Sequence, residues 1–304
     1  MSLLSCNQVN DLQTVVPEAV PSTVIKNVTD QFPKAENLVF KPLIEKQLWE
    51  VRFNSSSDRY VSLVDSLQMA QTYRFNADNI PKEITDLLST GGLKGGTLSE
   101  NREDIGFYTT PDRRNKATYT FYGKDYVLEW LYLTNRTVGL MFGTTRYSVN
   151  VERLSGMPSK AQEFFRANPD LTFDGGGMWI MMDYDKLYDV QVKFQKDGNL
   201  VYGRMLFDAG GNLKWISRSF NEPESPQSPT NVTEMPEPMR QYIEASPELT
   251  EFYTLSNAGF LWRGEYKGAT SYFISFSHKT MSQTCEMFFD KDGNLLLKYY
   301  YYGF

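Results

Sequence analysis

Few of the residue types that build common catalytic centres are present in this sequence. It contains one histidine, His278, and two cysteines, Cys6 and Cys285. Neither a Ser-His-Asp triad nor a multi-histidine metal site can be assembled from a nearby motif, and two cysteines do not make a disulfide framework. We interpret His278 as a surface residue in a polar turn, and Cys285 as a buried packing residue because it alternates with Met287 and Phe289.

Long apolar runs and clusters of basic residues are also missing. No run approaches the roughly 20 apolar residues that a membrane-spanning helix needs. The formal net charge is -6, which is the wrong sign for a protein that binds a phosphate backbone. We therefore expect no nucleic-acid partner, and contact with a membrane only through a lipid anchor.

Aromatic residues are what the sequence has in excess. Phenylalanine, tyrosine and tryptophan number 20, 19 and 5, and together they make up 14% of the 304 residues. Aromatic side chains pack well on a pleated, half-buried surface, so this composition favours strands. With 41% hydrophobic and 22% charged residues, the chain can bury one large core or two ordinary ones.

The first residues resemble the lipobox of bacterial lipoproteins. Leu3, Leu4, Ser5 and Cys6 match this motif. In such proteins the signal peptide is cleaved before the cysteine, and the new N-terminal cysteine receives lipid. This pattern predicts a signal remnant and polar tether over residues 1–16, lipidation of Cys6, and a location in the bacterial cell envelope, in the periplasm or at the cell surface. A chance match of four residues is the alternative.

A proline-started segment occurs twice, as "MPSKAQEFFRANPDL" (157–171) and "MPEPMRQYIEASPEL" (235–249). Proline suits the first turn of a helix, where its missing N–H costs nothing. Apolar residues follow each proline at offsets of three, six and seven, which is one face of a short helix. They are Ala161, Phe164 and Phe165 in one copy, and Met239, Tyr242 and Ile243 in the other.

Weaker copies of the same pattern begin at Pro21 and Pro81. Intervals of roughly 60 to 80 residues are too long for a solenoid repeat and suit a helix followed by a small antiparallel sheet. The sequence therefore predicts an α+β fold of four tandem repeats, each a short helix plus an antiparallel β-meander. Repeats one and two occupy 17–155, and repeats three and four occupy 156–304. A proline- and serine-rich connection lies at 221–234.

Two matching turns follow the last two helices. "MLFDAGGNLKW" (205–215) and "MFFDKDGNLLL" (287–297) each join two apolar runs by residues that tolerate a positive φ, which predicts β-hairpins. Asp290 and Asp292 also hint at a calcium loop, but a Glu near its twelfth position is missing. We interpret these aspartates as a hairpin turn and expect no metal. The acidic cluster of Asp183, Asp185 and Asp189 is likewise interpreted as a strand end and turn.

The aromatic residues suggest both a core and a binding surface. Trp49, Trp179 and Trp262 each lie early in the strands of a repeat, so we interpret them as core residues beneath the helix. The final run is different, because alternation along a strand directs two of its four tyrosines to each face. One pair should therefore reach solvent, and exposed tyrosines favour recognition. The candidate binding residues are Tyr299, Tyr300, Tyr301 and Tyr302.

This order of elements resembles the PepSY-like domains similar to beta-lactamase inhibitory protein, which are common in envelope lipoproteins of Bacteroides-type bacteria. The segments that carry the resemblance are "VPSTVIKNVTDQFPKAENLVF", "LWEVRF", "MPSKAQEFFRANPDL" and "MFFDKDGNLLLKYYYYG". The second repeat departs from the pattern by lacking the second proline and the early tryptophan. The resemblance implies paired units that form a concave sheet with helices on the opposite face, and a role in binding a protein or inhibiting an enzyme.

We therefore expect a non-catalytic envelope binding module that acts through an aromatic sheet face, with an envelope or secreted protein as partner. No catalytic residue, metal or cofactor is expected. A glycan-binding surface lipoprotein is the alternative, in which exposed tryptophan and tyrosine stack on sugars. A carboxylate-based hydrolase is a further alternative, which needs two acids facing each other in a cleft.

Overall fold

A computed structural model describes the chain over residues 20–76, 80–90, 92–106, 113–133, 136–196, 198–217, 235–252 and 260–302. The chain divides into two compact units. Unit 1 comprises Met1–Phe75 and Asp104–Phe107, and unit 2 comprises Asn76–Glu103 and Tyr108–Phe304.

Unit 1 is a short helix over an antiparallel meander. Helix α1 (Ser22–Gln31) precedes strands that pair in sequential order: β1 (Ala35–Ile44), β2 (Leu48–Ser55), β3 (Asp58–Val64) and β4 (Met69–Phe75). Val24 and Val28 lie one helical turn apart and face the sheet, where they pack with Trp49, Val51 and Phe53. This apolar cluster is the core of unit 1.

Unit 2 contains a wide sheet of eight antiparallel strands, counted over the described residues. Its order is β5-β6-β7-β8-β17-β16-β15-β14, so the last strand of the chain lies at its centre. The strands are β5 (Thr97–Asp104), β6 (Arg113–Phe121), β7 (Lys124–Leu133), β8 (Arg136–Gly143), β14 (Phe260–Tyr266), β15 (Ala269–Ser277), β16 (Gln283–Phe289) and β17 (Leu295–Tyr302).

A small sheet in unit 2 lies against one face of the wide sheet. Its order is β13-β12-β11-β10-β9, from β9 (Thr145–Val151), β10 (Leu171–Met181), β11 (Lys186–Lys196), β12 (Asn199–Asp208) and β13 (Leu213–Ile216). The two sheets touch along β13 and β15: Ser271 Oγ lies 2.9 Å from both the backbone N and O of Ile216, and Trp215 Nε1 donates to Tyr272 O at 3.1 Å. Gly264 permits this approach, because an added Cβ would lie 2.0 Å from Ile216 O.

The helix starts predicted from the prolines are confirmed. Helices α2 (Lys82–Thr90), α3 (Ser159–Ala167) and α4 (Glu237–Glu244) begin directly after Pro81, Pro158 and Pro236. Each helix buries residues four positions apart, as the periodicity predicted. Helices α2 and α4 cover the face of the wide sheet opposite the small sheet, and α3 packs on the small sheet through Phe165 and Phe207.

The two matching turns hold the starts of α3 and α4. In both, an aspartate accepts hydrogen bonds from the backbone N–H and side-chain amide of an asparagine four residues later, which closes the hairpin. The glycine of each turn has a positive φ and lies against the helix start. A Cβ on Gly211 would lie 2.7 Å from Ala161 N, and one on Gly293 would lie 2.8 Å from Met239 N. The two repeated sequence patterns therefore pack against each other.

The expected α+β fold class is wrong. The described residues form 17 strands and four short α-helices, which makes the structure mainly β. Strands also join across the boundaries of the expected repeats, since β17 pairs with β8 from Tyr299↔Gly143 to Tyr302↔Leu140. A four-stranded meander leaves backbone N–H and C=O groups unpaired at its outer strands, and pairing with another meander satisfies them. Local sequence patterns do not record this pairing.

Candidate binding surface

The four tyrosines of β17 have very different exposure. Tyr299, Tyr300 and Tyr302 are buried, whereas Tyr301 is 38% exposed. Tyr300 and Tyr302 point into the core beneath α2 and α4. Tyr299 points to the other face and packs between the two sheets, with Tyr301 beside it at a ring separation of 6.2 Å. Tyr301 is the one member of the run whose side chain is open to a partner.

Tyr301 ends a row of aromatic rings that runs from β14 to β17 of the wide sheet, on the face opposite its helices. Ring centroids are 5.4 Å apart for Trp262 and Phe273, 5.0 Å for Phe273 and Phe288, and 6.1 Å for Phe288 and Tyr299. These separations lie in the range of favourable ring pairs. We call this row the aromatic face: Trp262, Phe273, Phe288, Tyr299 and Tyr301, joined from the small sheet by Trp179 at 6.5 Å from Tyr299.

The prediction that the tryptophans are core residues beneath a helix is correct for Trp49 and wrong for Trp179 and Trp262. Trp49 is 4% exposed and packs beneath α1. Trp179 is half-buried and belongs to the face of β10 that looks away from α3, while Trp262 is half-buried beside Phe273. Each of the two lies early in the strands of its repeat, as Trp49 does. Successive side chains of a strand point to opposite faces, and these two point to the face away from the helix.

Charged groups border the aromatic face. Arg204 makes a two-bond pair with Asp189, with Nε to Oδ1 at 3.1 Å and Nη2 to Oδ2 at 2.9 Å, and it lies 6.0 Å from the Trp179 ring centroid. Glu286 is half-buried on β16 and forms no ion pair with the described residues. The pKa of Glu286 is raised because burial disfavours its charged form, and the nearby Arg204 offsets part of this increase. The surface thus offers aromatic rings with an arginine and a half-buried carboxyl group.

Arg204 and Glu286 were not found by sequence reasoning. Each stands directly before the methionine of a matching turn segment, Met205 or Met287. A charge at the same place in two copies, between apolar neighbours, is the signal that would have pointed to them. Which face of the sheet they occupy depends on how the two sheets meet.

His278 is not the surface residue that we expected, since it is 7% exposed. Its ring packs edge-on against Phe252 at 5.2 Å, and Nδ1 accepts from the backbone N–H groups of Thr280 and Met281 at 3.2 Å each. Nε2 therefore carries the hydrogen and faces Glu251 Oε2 at 3.3 Å. The turn that contains His278 packs against Phe252, and the contacts of the histidine ring hold these two segments together.

Cys285 and Asp290 have the surroundings that the sequence predicted. Cys285 is fully buried, as expected, and burial raises its pKa to about 12, so it is a neutral thiol. Asp290 accepts the hydrogen bonds that close a hairpin turn, which confirms that interpretation.

No group of three or more potential metal ligands occurs among the described residues. Within the same ranges no helix is long and apolar enough to cross a membrane. Cys6 and the tether lie outside the described residues.

Comparisons with known proteins identify no family. No protein-family model matches the chain, and no curated protein matches it. One solved structure that is similar is a DUF2874 family protein from Bacteroides ovatus, with 12% identity, a TM-score of 0.22, and an alignment that covers 46% of this chain and 89% of that one. A TM-score this low supports no inference about fold or function, so the PepSY-like resemblance stays a prediction.

Proposed function

We propose that this protein is a non-catalytic binding module of the bacterial cell envelope that holds a protein partner on the aromatic face. The observation that carries the proposal is the position of Tyr301. It is 38% exposed at the end of a row of packed rings, on the sheet face opposite the described helices of unit 2, where the small sheet buries Tyr299 but leaves Tyr301 partly open. Rings already held by their neighbours lose little conformational freedom when a partner binds.

The charges beside Tyr301 support a protein partner rather than a purely apolar ligand. Arg204 has 43% of its side chain exposed although Asp189 holds its guanidinium in one orientation. A fixed arginine among aromatic rings is the composition typical of the energetically important part of protein interfaces. The lipobox-like residues around Cys6 support the envelope location, and they do so from the sequence alone.

The test is affinity capture on the full chain, followed by a measured affinity. The immobilised protein is exposed to an envelope fraction of the source cell, and any retained protein is then purified and titrated. We expect Tyr301→Ser to weaken binding at least tenfold, because an interface tyrosine that packs in a pocket contributes on the order of 2 kcal/mol. Tyr122→Ser is the matched control, since Tyr122 is 67% exposed in the turn between β6 and β7.

Two outcomes would contradict the proposal. A partner that binds Tyr301→Ser and Arg204→Ala as tightly as the unchanged protein would place the interface elsewhere. Retention of polysaccharide alone would indicate that the ligand is a glycan and not a protein.

A further inference from the structure

A cavity of about 810 Å³ opens in unit 2 at the edge of the space between its sheets. It is lined by the first residues of β7 and β17, by the turn from β10 to β11, by the end of β12, and by α4. This volume is in the range of small-molecule sites. Its lining has an apolar part, formed by Met181, Leu187 and Leu297, and a polar part that includes Lys124 and Tyr126.

The polar part contains a hydroxyl group without a hydrogen-bonding partner in the described chain. Tyr126 is 5% exposed, and its ring packs edge-on against Tyr300 at 6.4 Å. No described residue hydrogen-bonds its hydroxyl, which borders the cavity. Burial raises the pKa of Tyr126 to about 12 even though Lys298 lies near, so the hydroxyl keeps its proton and can donate. A hydroxyl that lines a cavity and has no partner in the described chain is free to donate to a ligand.

Two ammonium groups flank one aromatic ring beside this hydroxyl. Lys298 Nζ lies 5.3 Å and Lys124 Nζ 5.8 Å from the ring centroid of Tyr242. Lys298 is 1% exposed, pairs with Glu248, and donates to the Tyr242 hydroxyl at 3.3 Å. Lys124 pairs with no carboxylate in the described ranges. Glu248 compensates the charge of Lys298, so Lys124 is the cation at this end of the cavity that attracts an anion.

Repeat three shows that the fold does not require these polar groups. Aligning "FDAGGNLKWI" with "FDKDGNLLLK" sets Ile216 against Lys298, both 1% exposed, and aligning the two helices sets Phe164 against Tyr242. The "PDL" and "PEL" segments set Asp170 against Glu248. Repeat four therefore buries a lysine where repeat three buries an isoleucine, whereas the acid that matches Glu248, Asp170, pairs with Lys267 at the surface. A buried charge costs stability unless it is compensated.

We propose that this cavity binds a small organic anion with an apolar body, such as a carboxylate that carries a hydrocarbon chain. Its carboxylate accepts from the Tyr126 hydroxyl and from the ammonium groups of Lys124 and Lys298. Its hydrocarbon part lies on Leu187, Leu297 and Met181.

Four aspartates also line the cavity, and three of them have partners. Asp208 is held by Asn212, Asp125 accepts from Thr120 Oγ1 at 2.6 Å, and Asp183 accepts from the backbone N–H of Asp185 at 3.1 Å. Asp183 and Asp185 lie in the turn after β10 and are exposed to solvent. We expect them to repel a second anion and to leave the polar end near Tyr126 as the place for the carboxylate.

The test is calorimetric titration of the full chain with sodium octanoate, alongside octanol and octylamine as probes of the same chain length. We expect saturable one-to-one binding of octanoate and weaker binding of both controls. Tyr126→Phe removes only the hydroxyl and should weaken octanoate binding at least tenfold, since a charge-assisted hydrogen bond is lost. Tyr122→Phe, in the neighbouring turn, should leave the affinity unchanged.

A second set of variants keeps the test informative if Tyr126→Phe disturbs folding. Lys124→Gln alters an exposed side chain and should weaken octanoate severalfold, and Ala209→Trp should block the opening and abolish binding. The proposal is overturned if octanoate shows no saturable binding, if octanol or octylamine binds as tightly, or if these variants leave the octanoate affinity unchanged.

Discussion

Repeats three and four place the same local packing in two different surroundings. In both, a proline-started helix lies on a hairpin turn whose glycine contacts the helix start, and a fully buried phenylalanine packs against the helix: Phe207 on Phe164 at 5.5 Å, and Phe289 on Tyr242 at 5.9 Å. The strand after the turn then differs. In repeat three it is the four-residue β13, and in repeat four it is the eight-residue β17 at the centre of the wide sheet.

The comparison separates residues that build the fold from residues that are added to it. The glycines, the turn aspartates and the helix face occur in both copies, so they serve the fold. Lys298 and the hydroxyl of Tyr242 occur only in repeat four, where both residues line a cavity, and Glu248 pairs with Lys298 while its counterpart Asp170 lies at the surface. Arg204 and Glu286 occupy matching positions with opposite charge, and both border the aromatic face. The differences thus gather at the two proposed binding sites.

The largest effect is expected from breaking the buried ion pair. Glu248→Ala leaves Lys298 buried without its carboxylate, which should lower the free energy of unfolding by about 3–5 kcal/mol. The matching Asp170→Ala should cost less than about 1 kcal/mol, because Asp170 and its partner Lys267 have 47% and 53% of their side chains exposed. Urea unfolding of both variants measures the difference, and equal losses would show that the two copies do not differ here.

A similar loss in both copies is expected from the turn glycines. Gly211→Ala and Gly293→Ala each place a Cβ in a positive-φ position against a helix start, so each should destabilise by about 2–3 kcal/mol. Gly123→Ala is the control, since its φ is +70° but nothing lies within 4 Å of the added Cβ. It should lose only about 1–2 kcal/mol of conformational strain. Thermal unfolding of all three variants checks this, and a loss at one turn only would contradict the shared packing.

The smallest effect concerns Glu286, which has no ion pair in the described chain. Its pKa is raised on folding by burial, so ionisation opposes folding, and stability falls as pH rises through the ordinary value of 4.5 toward the raised value. Glu286→Gln should therefore raise the Tm slightly at neutral pH and have no such effect below pH 4.5. Melting curves across this range test the sign. A lower Tm at neutral pH would mean that the carboxylate stabilises the fold.

The sequence predicted the local structure because local structure is set by near neighbours. Prolines at helix starts, apolar residues at helical spacing and Asp-Gly-Asn turns act over fewer than a dozen residues, and all four helices and both matching hairpins follow from them. The burial of Cys285 followed from alternation in the same way.

What the sequence could not predict depends on contacts between distant segments. The pairing of β17 with β8 joins residues more than a hundred positions apart and decides which tyrosines are buried. The same applies to Trp179 and Trp262, whose faces are set by how the sheets meet. The burial of His278 was not predicted because its neighbours in the sequence are polar, while Phe252, whose ring packs against it, belongs to a distant segment. Lys298 stands in "LLLKYY" among apolar and aromatic residues, and no local pattern indicates that its ammonium group lies beneath α4.

The central claim is that repeat four keeps its buried polar groups for binding and not for folding. The most direct measurement combines Lys298→Ile, the residue found in repeat three, with Glu248→Leu, so that the buried ion pair is replaced by apolar side chains. Urea unfolding and octanoate titration are then followed in the one variant. The account predicts a free energy of unfolding that is unchanged or higher by about 1–4 kcal/mol, together with octanoate binding weakened at least tenfold. A variant that loses several kcal/mol of stability, or that binds octanoate as tightly as the unchanged protein, would contradict it.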